Sequence, residues 1–261
     1  MNNERMNPIP ARRLVPKASL GAAALCIAAL SPSAHAAQGE GWDWMVAPYV
    51  WVVGIDTDLD RTTPPEGGAS TDTSFNDVLD KFDGAFLIHA EGQGDSFGAF
   101  TDFIYLGLAD DHDHPRFSTE SDLDARLFEI AGVWSPGPER YRGLEMFAGL
   151  RYIDIDLTVA FDPANPAFNR STLDSSDSYN DLMLGARYTW ALSDRWDLTL
   201  RGDGSFGDTE GTWNASVLAK GRMGYGALLF SYRYLSGELE TNDSSIDITL
   251  SGPMVGYAFT F

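Results

Sequence analysis

The sequence predicts an all-β protein: a closed antiparallel transmembrane β-barrel of ten strands, with eight as the other count. Three observations predict it. Apolar and polar residues alternate in stretch after stretch, as they do where one strand face meets lipid and the other a polar interior. The connections between these stretches are alternately long and short, and an even number of strands returns both chain ends to one side. The last stretch puts Val255, Tyr257, Phe259 and Phe261 on one face and Met254, Gly256, Ala258 and Thr260 on the other. A closed barrel gains from an aromatic final strand, because that strand must pair with the first and face lipid.

The first residues read as a processing segment. Arg12, Arg13 and Lys17 precede the apolar run 18–30, and Ala34-His35-Ala36 fits a small-x-small cleavage site. A signal peptide over 1–36 and a barrel over 37–261 are therefore expected. The apolar run is too short for a spanning helix, which needs about 20 residues. The single cysteine, Cys26, falls inside it, so the barrel has no disulfide chemistry. The chain holds 38 acidic and 18 basic side chains, a net charge of −20. Such acidity argues against a nucleic-acid partner, whose phosphates require Lys and Arg.

The first strand runs over 41–56, with Trp42, Trp44, Tyr49 and Trp51. A long polar loop over 57–83 follows, ending in a short capped helix at 74–82. Strand two alternates Phe86, Ile88 and Ala90 with His89 and Glu91; a tight turn at 92–95 leads to strand three, 96–108. An acidic loop occupies 109–121. Strand four, 123–134, is weakly patterned, and strand five follows a Pro/Gly turn at 135–143. Its far half inverts: Asp154 and Asp156 take over the apolar parity, through a bulge or by leaving the bilayer. After a loop at 160–177, strands six and seven form the clearest hairpin, turning at Ser193-Asp194. Strands eight, nine and ten complete the wall.

Two motifs carry a resemblance. Trp44-x-x-x-Pro48-Tyr49-x-Trp51-x-x-Gly54 resembles the opening of a widespread family of uncharacterised proteobacterial outer-membrane barrel proteins. Gly256, Tyr257, Phe259 and Phe261 resemble the C-terminal signal by which such barrels are recognised for assembly. The resemblance implies the outer membrane of a Gram-negative cell, contact with its lipid and lipopolysaccharide, and the barrel assembly machinery as a partner during biogenesis. It implies no substrate.

The candidate functional set is Glu91, Asp102, Glu145, Arg151, Asp181, Arg187, Arg201, Asp203 and Arg233, each opposite an apolar parity and so expected in the lumen. Buried charges must neutralise one another. They form either a salt-bridged core or a charged constriction of the kind that selects solutes. Trp42, Trp44, Trp51, Tyr188, Trp190 and Trp196 are expected as membrane-interface anchors. His112 and His114 in the acidic loop suggest a rim hydrolase, but no second Asp-x-His pair supports it. Asp56, Asp58 and Asp60 lack the spacing of a calcium loop. No cofactor, metal or catalytic set is therefore expected. The reading is a non-enzymatic barrel, structural or with a narrow pore for small solutes, the alternative being a surface module acting through its acidic loops.

Overall fold

The computed structural model describes residues 41–61, 67–73, 81–114, 117–163, 170–241 and 244–261. The expected signal peptide and almost all of the expected 74–82 helix lie outside them. Twelve strands are described: β1 (Asp43–Trp51), β2 (Gly54–Arg61), β3 (Gly67–Thr73), β4 (Phe82–Gln93), β5 (Phe97–His114), β6 (Phe117–Trp134), β7 (Gly143–Pro163), β8 (Ser171–Ala191), β9 (Trp196–Gly207), β10 (Gly211–Met223), β11 (Gly226–Thr241) and β12 (Ser244–Thr260). All pairings are antiparallel, and β1 closes on β12. β1 and β2 are two halves of one stave, both paired with β12, and β3 folds back on β2. The barrel therefore has ten staves.

The stave breaks at Val52-Val53. Opposite the break, Gly252 adopts a φ of +155°, and a side-chain carbon there would stand 1.9 Å from the Val52 carbonyl oxygen. Glycine is thus required by both the backbone angle and the close approach. Closure at the chain end is direct: the Trp44 and Phe261 backbones exchange hydrogen bonds of 2.9 and 3.1 Å.

Both the chain's last residue and the short turns lie at one end, called here the short-turn end. At the other, far end the wall extends much further than expected. β7 and β8 each run for 21 residues, about twice the 9–11 that cross a bilayer. The described residues of 57–83, 109–121 and 160–177, stretches expected as loops, are almost all strand. Residues 109–114 and 117–121 continue β5 and β6 in unbroken register, and β7 and β8 stay paired to Phe161↔Ser171. Asp154 and Asp156 sit in this ladder with no register shift on either side. The inversion of polarity is therefore not a bulge. Outward residues turn polar because they no longer meet lipid, while the backbone ladder continues because every N–H and C=O still has a neighbour. Arg126 bonds Asp154 and Asp156 on this outer face at 2.5 and 3.0 Å.

Candidate functional site in the barrel lumen

In a barrel of eight strands, side chains just fill the interior, so ten staves leave only a little more room. The middle of this lumen is filled by a knot of charge centred on Glu129, which is fully buried. Glu129 accepts from Arg151 at 2.7 Å, Arg201 at 2.9 Å and Arg233 at 3.0 Å. Those arginines come from β7, β9 and β11, so the knot spans the barrel. Asp203 supplies the second anion, accepting from Arg151 at 2.5 Å, Arg201 at 2.7 Å and the Asn214 amide at 2.7 Å. Arg201 also stacks 5.1 Å from the Phe100 ring and 5.0 Å from that of Phe147. Such contacts favour a desolvated cation.

An aliphatic layer lies directly on the knot. Ile104, Leu127, Ile153 and Leu235 pack with Trp51 and Val53 in one cluster. Each of the four stands two residues further toward the far end, on the same face, from Asp102, Glu129, Arg151 or Arg233. Alternation therefore places them one step above the charges. Above the knot the interior is apolar on the β5–β7 and β11 side, while buried Ser205 and Thr212, one step above Asp203 and Asn214, keep the β9–β10 side polar.

Toward the short-turn end, a second group surrounds Arg187. It bonds Glu145 at 2.7 Å and grips Glu91 through two nitrogens. His89 bridges Glu91 and Asp102 at 3.3 and 3.1 Å, and the Tyr49 hydroxyl donates to Asp102 at 2.6 Å. Beside this group is a cavity of about 150 Å³. Below it, the β6–β7 turn crosses the barrel end. Arg140 pairs with Asp43 and Asp95, and Arg142 with Asp197. Tyr141, at a left-handed φ of 59°, donates to the Asp43 carbonyl at 2.5 Å. Burial, reinforced by Glu91 and Asp43, raises the pKa of its hydroxyl and keeps it a donor.

The sequence matches no known family and no curated protein. Among solved structures, the outer-membrane protease OmpT of Escherichia coli aligns over 84% of this chain and 97% of its own, at 10% identity and a TM-score of 0.50. The attachment invasion locus protein Ail of Yersinia pestis aligns over 85% of this chain and 100% of its own, at 10% identity and a TM-score of 0.36. This is an outer-membrane-type β-barrel. The likeness lies in the fold, and no residue role is transferred from it.

Within this barrel, all nine residues of the expected lumen set face the interior, and the structure divides them by height. Arg151, Arg201, Asp203 and Arg233 join the knot. Glu91, Asp102, Glu145 and Arg187 line the cavity. Asp181 stands apart, accepting from Ser205 and Thr209 at 2.7 and 2.6 Å. Trp42, Trp44, Tyr188, Trp190 and Trp196 are exposed on the outer surface. Trp51 is not: it is 8% exposed inside the lumen, its indole donating to the Gly252 carbonyl and lying under Arg233. Trp44 and Trp51 are seven residues apart, an odd interval that puts them on opposite faces of one strand. Tyr257 and Phe259 flank the closing seam, and Gly256 faces inward against Tyr49. His112 and His114 sit in the β5–β6 ladder near its far end, opposite Thr119 and Phe117. Sequence reasoning missed Glu129. On β6 both parities are apolar around it, and only its parity with Leu127 and Val133 marks it as inward.

Proposed function

We propose that this is an integral outer-membrane protein with a sealed lumen and no catalytic role. It acts as a rigid anchor that holds tall strands above the cell surface. The short-turn end then faces the periplasm and the far end the exterior, with lipid and lipopolysaccharide around the wall. The observation that carries the reading is the Glu129 knot, closed above by the aliphatic cluster on one side and by the hydrogen-bonded Asp181, Ser205 and Thr212 on the other. A solute would have to break charge pairs and then force apart packed hydrocarbon and the buried hydrogen bonds of Asp181, Ser205 and Thr212. The raised β7–β8 hairpin, exposed on both faces over 171–178, supports contact with a surface partner as the second reading.

The test is solute release from liposomes carrying the refolded chain. Sealed barrels leave small sugars and amino acids trapped at the rate of protein-free vesicles. Release that scales with the amount of folded protein would contradict the sealed reading.

A further inference from the structure

At the far end the barrel wall is uneven. β9 ends at Gly207 and β10 begins at Gly211, so residues 208–210 alone join them. β8 rises beyond this low pair. Its ladder with β9 stops at Asp181, while residues 171–179 continue in register with β7. A rise of about 3.4 Å per residue gives that edge a length of roughly 30 Å.

The last contact across the step sets which backbone groups are open. The Asp208 N–H donates to the Asn180 carbonyl at 3.2 Å, and the Asn180 N–H to the Asp208 carboxylate at 2.9 Å. The Asn180 backbone therefore points toward β9. The register with β7 runs without a shift from Asn180 to Ser171. By alternation, the N–H and C=O groups of Ser178, Ser176, Asp174 and Thr172 point the same way. Among the described residues no strand pairs with them on that side. Such an edge is a template for another strand. Residues 171–179 contain no Pro, Lys or bulge to blunt it.

Charge selects the occupant. Residues 171–180 and 208–210 hold Asp174, Asp177, Asp208 and Glu210 and no basic side chain. Asp174 faces outward with the even-numbered residues and Asp177 faces the other way, so an added strand meets a carboxylate on each face. Leu173, 60% exposed, adds an apolar contact. A second copy in the same membrane fits badly. Related by a two-fold axis along the membrane normal, its edge would cross this one at twice the strand tilt, roughly 70–90°. Acid would also meet acid, in chains of net charge −20.

We propose that the open edge of β8 binds an extended cationic segment of another protein as an added antiparallel strand, with basic side chains opposite Asp174 and Asp177. The proposal rests on the reading of the raised hairpin as a partner surface. It does not rest on the sealed lumen, which solute release tests separately.

The test is fluorescence anisotropy of a labelled peptide, Thr-Lys-Val-Thr-Lys-Val-Thr, titrated with the full folded barrel in uncharged micelles. Paired antiparallel to residues 172–178, its lysines fall opposite Asp177 and Asp174. One comparison peptide carries Glu in place of both Lys. The other keeps both Lys but is N-methylated at its third and fifth residues, which face Ser176 and Asp174. The unmodified peptide is expected to saturate at one site, with each comparison peptide at least about tenfold weaker. Ser176→Pro removes an open donor and leaves the β7 ladder intact. It should weaken the unmodified peptide similarly, provided that it keeps wild-type heat-modifiable migration on a gel. The peptide comparison uses the unaltered protein and stands whether or not that variant folds. Absence of saturable binding, or equal binding of the lysine and N-methylated peptides, would overturn the proposal. Homodimers in micelles that Ser176→Pro abolishes, in place of peptide binding, would assign the edge to a second copy and overturn it as well.

Discussion

Glu129 shows how much can rest on one side chain in a lumen of this size. Three guanidinium groups converge on a carboxylate that no water reaches. Replacing such a pair wholesale by hydrocarbon is often harmless, but removing one partner leaves charge buried and uncompensated, at a cost of about 3–5 kcal/mol. Glu129→Leu should therefore lower the urea midpoint of the folded barrel in micelles far more than Ser176→Ala on the exposed far strand. Equal midpoints would mean that water or counter-ions already solvate the three arginines. Legibility at this scale was uneven, and parity explains why. Arg151, Arg187, Arg201 and Arg233 were readable as inward because each falls on the polar parity of a clean alternation. Glu129 was hidden because the strand around it is apolar on both faces. Trp51 was misplaced because residue type was given more weight than the odd interval separating it from Trp44.

At the scale of the element, the membrane boundary runs across each strand rather than at its end. On β8, Leu182, Leu184 and Tyr188 face outward and are exposed, as lipid contact requires. Further along the same face come Ser178 and Ser176, in the same unbroken ladder with β7. The sequence reading took that polar stretch for a loop, since hydropathy reports the solvent of a strand and not its hydrogen bonds. The corrected boundary has a sharp consequence. Leu184→Arg puts a cation against acyl chains and should destabilise the barrel by about 2–4 kcal/mol, whereas Ser176→Arg, beyond the bilayer, should cost about 0–1 kcal/mol. Folding titrations into phospholipid vesicles would measure both. Similar penalties at the two sites would place Ser176 within the hydrocarbon and move the membrane boundary further along β8 than the polarity of its outer face implies.

At the scale of the whole molecule, the interior and exterior change character along the barrel axis. Across the bilayer the outside is apolar and the inside charged; above it the outside carries Arg126, Asp154 and Asp156, and the inside packs an aliphatic cluster beside buried Ser205 and Thr212. The strand number and the closure were legible in the sequence, because alternation and connection length both report them. The stacking of a charged layer beneath a partly apolar one was not, because it depends on which residues of distant strands share a height. That stacking is the basis for regarding the lumen as sealed. Single-channel recording across a planar bilayer containing the folded chain tests it most directly. The account predicts a silent baseline from the native barrel. Steady openings of reproducible size, weakened or reversed in ion selectivity by Arg187→Gln, would mean a water-filled path and would contradict the sealed reading.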